Sequence, residues 1–438
     1  MHHHPVDTGR CPVDTGRRRF LVGTGTMAAS AVLANVLFAR TGGAARLVVV
    51  ILRGALDGLA AVPPYADPDY AGLHRELAIA APGVADGALA LDDIFGLHPA
   101  CAFLHECYVA RELVVFQAVA SPYRDRSHFD GQNVLENGLA KPLGTADGWL
   151  NRALAALPRG NTGHDAERAV AISQNVPLIL RGDVPVISKS PQVTPGVDEE
   201  LLTRLADLYS KDDWFSARLS EAVQTGKLAD GGGALAVQTT SAPTAVGAQR
   251  MTAPTTVGAQ PAMTAAPDRV SGVARMAATL MRSDGGPEVA VIEANGWDTH
   301  ANQGGAKGTL AQRLAGLDTA LRALKEELGP LWPQTAVLVV TEFGRTAAMN
   351  GTRGTDHGTG GSAFLAGGAV RGGRVIADWP GLARSALLDN RDLRPTLDLR
   401  SVFKAVLDEH MHVDAKTLAT RIFPDSSGAR PLQGLIRA

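Results

Sequence analysis

Six short apolar runs punctuate the chain. R-L-V-V-V-I-L (46–52), L-V-V-F-Q-A-V-A (113–120), A-V-A-I-S (169–173), V-A-V-I-E-A (289–294), T-A-V-L-V-V-T (335–341) and the shorter S-A-F-L-A (362–366) are each bounded by turn residues or charge. Continuous rather than alternating apolarity at this length predicts strands buried on both faces, as in a parallel sheet. Between them the period changes. L-A-Q-R-L-A-G-L-D-T-A-L-R-A-L-K-E-E-L (310–328) and D-L-R-S-V-F-K-A-V-L-D-E-H (398–410) carry apolar residues at helical spacing with charges opposite. Strands alternating with helices predict an α/β fold, with a mostly parallel central sheet and helices on both faces.

Two segments depart from this pattern. Gly16-Arg17-Arg18-Arg19-Phe20-Leu21 opens a moderately apolar stretch that runs to Ala39. Paired arginines, Arg17 and Arg18, followed by Phe-Leu and an apolar segment resemble a twin-arginine export signal, the alternative being an uncleaved membrane anchor. Residues 1–45 are therefore expected to be a leader. V-D-T-G-R occurs twice inside it, at 6–10 and 13–17, and carries no fold information. Export would be periplasmic or extracellular, with the twin-arginine translocase as a transient partner, and its cargo folds before crossing. The second segment, 231–267, is rich in Ala, Thr, Gly, Pro and Gln and holds A-P-T-A-V-G-A-Q and A-P-T-T-V-G-A-Q. It has no periodicity and is read as a low-complexity surface insertion within a single domain spanning 46–438.

A chain of 438 residues is long enough for a large core, and its net charge of -2 supplies no field for nucleic acid or anionic lipid. Of three cysteines, Cys11 lies in the leader. Cys101 and Cys107, in C-A-F-L-H-E-C, are too far apart along a helix for a disulfide and are read as buried thiols.

In a parallel α/β sheet, ligands bind beyond the carboxyl ends of the strands. The residues that follow the apolar runs are acidic. Asp57 follows 46–52; Asp298 and His300, in W-D-T-H-A-N-Q, follow 289–294; Glu342 directly follows 335–341; Asp356 and His357 sit in the glycine-rich loop before 362–366. Clustered carboxylates repel unless positive charge lies among them, and Asp, Glu and His together suit a divalent metal. In an extended segment Asp298 and His300 point the same way and reach one ion, whereas adjacent Asp356 and His357 point oppositely. His357 is then the ligand and Asp356 its support. Each residue has a plainer reading. Asp57 would be a turn aspartate, Asp298 or His300 a helix cap or a brace for Trp297, Glu342 a partner for Arg345, and His357 a turn histidine.

Ser127, in S-P-Y-R-D-R-S-H-F-D-G-Q-N-V-L-E-N-G after 113–120, stands at an expected helix N-terminus. An anionic oxygen is favoured there, so Ser127 is the candidate nucleophile, or else only an N-cap. Arg124 or Arg126 can hold an anionic substrate, while His128 and Asp130 fit supporting positions.

L-R-G-A-L-D-G-L-A-A-V-P-P-Y-A-D-P-D-Y, R-S-H-F-D-G-Q-N-V-L-E-N-G, W-D-T-H-A-N-Q, T-E-F-G-R-T and D-H-G-T-G-G-S-A-F-L-A-G-G-A-V together resemble the family catalogued as domain of unknown function 1501. That family is placed near alkaline phosphatases and sulfatases, and the resemblance covers most of the chain from about Leu47 to His410. It implies an alkaline-phosphatase-like fold with two metal positions. Asp57 would serve one, with Glu342-Phe343 standing where the superfamily has Asp-His; Asp298, His300 and His357 would serve the other. Ser127 best matches the nucleophile. A-S-P-Y-R nearly matches the sulfatase signature but has Ala120 at the nucleophile position, so formylglycine chemistry is not expected.

The function expected from this is exported, metal-dependent hydrolysis of a phosphate or sulfate ester, of a small molecule or glycan, using one or two zinc or manganese ions. Metal ligands are Asp57, Asp298, His300, Glu342 and His357; Asp356, Arg124, His128 and Arg345 support them or the substrate. The alternative is an exported binding protein that keeps the fold without catalysis.

Overall fold

The computed structural model describes residue 1 and residues 45–157, 168–190 and 267–437. The expected leader with Arg17 and Arg18, and all but the last residue of the expected low-complexity insertion, lie outside the described residues. From residue 45 onward the described residues belong to one unit, Ala45–Ala438.

Its frame is a nine-stranded sheet. In chain order the strands are β1 (Arg46–Arg53), β2 (Leu89–Ala90), β3 (Gly96–Leu97), β4 (Leu113–Ala120), β5 (Ala169–Ile172), β6 (Ile187–Ser188), β7 (Val289–Asn295), β8 (Thr335–Thr341), β9 (Gly361–Ala366), β10 (Arg374–Ile376) and β11 (Leu397–Asp398). β2 and β3 form a separate hairpin, and the main sheet runs β10-β4-β9-β8-β1-β7-β5-β6, with β11 also on β4. β1 lies parallel to both β7 and β8, and β5 parallel to β6 and β7. The sheet is thus mostly parallel, as the apolar runs predict. β9 is the exception, running antiparallel to β4 on one side and β8 on the other. Its reversal brings the chain before β9, not after it, to the edge where the parallel strands end.

The helices are α1 (Gly58–Ala61), α2 (Tyr70–His74), α3 (Ala102–Val109), α4 (His128–Asn137), α5 (Trp149–Ala156), α6 (Pro267–Arg282), α7 (Thr309–Leu328) and α8 (Leu399–Glu409). They cover both faces of the sheet because successive strand residues point to opposite sides. Along β1, Val48, Val50 and Leu52 pack into the core under α3, α6 and α7. Leu47, Val49 and Ile51 enter the other core, with Trp149, Leu150, Phe403 and Phe423 from the α5 and α8 side. Cys101 and Cys107 are free and buried.

Candidate functional site

β4, β9, β8, β1 and β7 are contiguous in the sheet, so the segments leaving or entering them at one edge meet. The chain leaves β1 through Gly54 and Ala55, both at positive φ (116° and 61°). Glycine is required at the first of these, since a Cβ on Gly54 would lie 2.7 Å from the Asp298 amide nitrogen. That contact is what lets the β1 and β7 exits touch. Gly354 works the same way on the loop before β9, where a Cβ would lie 2.4 Å from the His300 carbonyl.

Three histidines and one carboxylate converge here. His128, the first residue of α4, follows β4; Asp298 and His300 follow β7; His357 precedes β9. His300 Nε2 lies 2.9 Å from His357 Nε2 and 3.0 Å from Asp298 Oδ1. His357 Nε2 is 3.4 Å from Asp298 Oδ1, and His128 Nε2 is 3.5 Å from Asp298 Oδ2. Donor atoms of His128, Asp298 and His357 all fall within 4.8 Å of one another. Each ring is held from behind through Nδ1: His128 by Glu342 Oε1 at 2.8 Å, His300 by Asp356 Oδ1 at 3.1 Å, and His357 by the Arg126 carbonyl at 2.9 Å. Arg126 has φ of 60°, which turns that carbonyl inward. An imidazole that donates from Nδ1 presents a bare lone pair at Nε2. For His300 and His357 the tautomers follow from these partners, and they aim two lone pairs toward the Asp298 carboxylate.

The surrounding charges fit this. Burial alone would raise the Asp298 carboxyl, but His128 and Arg345 outweigh it and hold it well below the usual carboxylate range. Asp298, then Glu342, pushes the His128 imidazole up to about 9. At 3.5 Å the Asp298 contact is too long for a good hydrogen bond, and His128 Nε2 is buried without a hydrogen-bond partner. We therefore treat the effect of Asp298 on His128 as charge attraction across a gap. Burial pushes His357 the other way, toward its neutral form, against its bond to Arg126.

Glu342 and Asp57 are engaged differently. Glu342 Oε1 accepts from Gly54 N (2.8 Å), His128 Nδ1 (2.8 Å) and Gln132 Nε2 (3.1 Å), and Oε2 from Thr341 Oγ1 (2.9 Å). Asp57 caps α1, its Oδ1 accepting from Leu59 N and Ala60 N at 3.1 Å each. Its Oδ2 accepts from Gln303 Nε2 at 2.7 Å and faces His74 Nε2 at 3.5 Å. The ionic partner of Arg345 is Asp298 and that of Glu342 is His128. Arg345 is fully buried and also donates to the carbonyls of Gly54, Ala55, Trp297 and Thr355. One guanidinium thus ties the exits of β1 and β7 to the loop that carries His357.

Residues 115–422 match the family described as "Protein of unknown function (DUF1501)". The chain belongs to this family. No curated protein matches it. Among solved structures, "Ps i-CgsB in complex with k-i-k-neocarrahexaose" is 10% identical at a TM-score of 0.41, covering 89% of this chain and 77% of that one. The C-terminal periplasmic domain of EcEptC from Escherichia coli, in complex with Zn, is 11% identical at a TM-score of 0.33, covering 74% and 73%. Neither likeness reaches the level at which residues are matched one to one.

The span matched to the DUF1501 family includes His128, Asp298, His300 and His357, and excludes Asp57. In this DUF1501 chain Ser127 occupies the N-cap position of α4 with extended φ and ψ, yet its hydroxyl does not cap the helix. Arg124 donates to the carbonyls of Ser121 and Tyr123. Arg126 is spent on Asp389 and Asp392. Gln303, Thr299, Thr355 and Asn350 were not singled out by sequence, yet they order the site. Gln303 Oε1 accepts from Thr299 and Thr355 (2.7 and 2.9 Å), and Asn350 Nδ2 donates to Asp356 Oδ1 at 2.9 Å. Thr299 and Gln303 lie within W-D-T-H-A-N-Q, so their nearness to Asp298 was the available signal.

Proposed function

We propose that this DUF1501 protein is an exported, metal-dependent hydrolase of phosphate or sulfate esters. The observation that carries the metal reading is the 2.9 Å approach of His300 Nε2 to His357 Nε2. Both rings have Nδ1 on an acceptor, so two lone pairs would face each other, beside Asp298, unless a ring takes a second proton or a cation lies between them. Donors at about 2.0–2.2 Å from a tetrahedral ion stand about 3.3–3.6 Å apart; the contacts of 3.4 and 3.5 Å fall in that range, and those of 2.9 and 3.0 Å would open by a few tenths of an ångström around an ion. His128, Asp298, His300 and His357 are the proposed ligands, with zinc or manganese the ion their chemistry suits.

A divalent ion there supplies positive charge to an ester oxygen and activates an alcohol or water at neutral pH. The chain's own groups do the rest. Ser127, with its hydroxyl unused in capping, is the proposed nucleophile, placed where the N–H groups of α4 favour an anion. Arg124, whose hydrogen bonds go to carbonyls, is the proposed cation for the substrate's anionic group. Glu342 and Asp356 hold the imidazoles by Nδ1, and Arg345 keeps Asp298 ionised. The ester is one of a small molecule or a glycan. Export rests on the Arg17-Arg18 leader; cell fractionation of the wild type and an Arg17→Lys/Arg18→Lys variant checks it.

The test of function is to load chelator-stripped protein with zinc or manganese and assay aryl phosphates and aryl sulfates. We expect turnover that Asp298→Ala abolishes together with metal binding. Metal without turnover on any ester would favour a binding protein, and neither metal nor turnover would sink the reading.

A further inference from the structure

Resting on the metal reading above, we infer that the centre holds a single divalent ion, with Asp57 and Glu342 serving as positioning residues and not as ligands. The strand-end pattern places five candidate ligands at this edge, enough for two ions. The geometry divides them. His128, Asp298, His300 and His357 turn donor atoms toward one another, whereas the carboxylates of Asp57 and Glu342 are each held by three N–H donors of the protein.

A carboxylate has about four lone-pair positions. Glu342, fully buried, accepts at Oε1 from Gly54 N, His128 Nδ1 and Gln132 Nε2, and its Oε2 shares the Thr341 hydroxyl proton with the Leu52 carbonyl. Asp57 accepts from Leu59 N, Ala60 N and Gln303 Nε2 and faces His74. The direction of the Gln303 bond is fixed by Asp57, whose carboxylate only accepts. The amide N–H group therefore points at Asp57, and Gln303 Oε1 is left to accept from the hydroxyls of Thr299 and Thr355. Drawing Asp57 onto an ion would strip this network and uncap α1. Drawing Glu342 onto one would release His128, itself a ligand of the first ion.

Charge leads to the same result. A second divalent ion is needed where several carboxylates lack partners. Here Glu342 holds His128, Asp298 receives the buried Arg345 guanidinium, and Asp57 is held by two amide N–H groups and Gln303. Arg345 is a fixed cation between the β1 and β7 exits, in contact with the carbonyls of Gly54 and Trp297.

The decisive measurement is zinc per chain by mass spectrometry on chelator-stripped, zinc-loaded and dialysed full-length protein. Zinc on His2, His3 and His4 is avoided by making the count on a His2→Ala/His3→Ala/His4→Ala variant of the full chain. We expect one zinc per chain. Two would overturn this inference and leave the metal reading intact; none would overturn both. Two substitution series give an independent check. Glu342→Gln keeps an oxygen for His128 Nδ1, so it should retain one zinc with at most about tenfold weaker binding, while Glu342→Ala weakens it by about 10–100-fold. Equal loss in both would make Glu342 a ligand. Asp57→Asn should retain one zinc in its folded fraction, and loss of that zinc would overturn its assignment as a positioning residue.

Discussion

Replacing Arg345 by leucine should destabilise the fold before any question of catalysis arises. The guanidinium is fully buried and donates to four carbonyls, those of Gly54, Ala55, Trp297 and Thr355, besides Asp298. Each hydrogen bond to a charged group is worth about 1.5–3 kcal/mol, and a carbonyl left buried and unpaired costs about 1–3 kcal/mol. These do not sum, because the three loops relax together once the common donor is gone. The ion pair itself adds little. The Asp298 side chain is 43% exposed, which limits its share to about 1 kcal/mol or less. A net loss of about 3–5 kcal/mol is expected, the range for removing one partner from a buried charged network. At about 2.1 cal/mol/K of unfolding entropy per residue, a unit of this size shifts by about 1.2 °C per kcal/mol, so the midpoint should fall by about 4–6 °C. Circular dichroism melts in excess chelator read this without a contribution from metal. Arg345→Lys, which keeps the charge but not the planar fork, should fall between. A leucine variant melting within about 1 °C of the wild type would refute the view that one guanidinium holds these loops together.

Two further outcomes follow from the geometry. Gly54→Ala puts a Cβ 2.7 Å from the Asp298 nitrogen at a φ of 116°, and should lower stability by about 1–3 kcal/mol, read as a reduced urea midpoint; an unchanged midpoint would mean that the β1 and β7 exits can separate at no cost. His410 is lowered below the ordinary histidine value by burial, against its bond to the Arg46 carbonyl. The unfolded chain therefore takes up its proton first as pH falls below about 6.5, and stability declines from there toward the lowered folded value. In chelator, His410→Gln should show a shallower fall in melting temperature between about pH 6.5 and 5, and equal slopes would show that this histidine is not the group responsible.

The strands were legible because burial on both faces writes itself as unbroken apolarity: 46–52, 113–120, 289–294 and 335–341 match β1, β4, β7 and β8 to within a residue or two. The helices at 310–328 and 398–410 were legible from their period. The direction of β9 was not, since a six-residue apolar strand looks the same read either way and only its neighbours fix it. At the site, residue types and strand-end positions were visible, but not how each oxygen is engaged. Asp57 and Asp298 look equivalent in sequence. One is 1% exposed and held by amide donors, the other faces three imidazoles, and that difference is made largely by Gln303, which is 246 positions from Asp57. His128 was visible as a residue near Ser127. Its place opposite Asp298 depends on Glu342, 214 positions away.

The imidazoles that meet at this edge come from distant parts of the chain: His300 and His357 are 57 residues apart, and His128 is held by a partner 214 residues on. An ion gripping all of them would be a cross-link, closing long loops much as a disulfide does but reversibly. Ion binding is then thermodynamically inseparable from completion of the sheet, and chelation acts on the unfolding equilibrium of the whole unit and not on one loop.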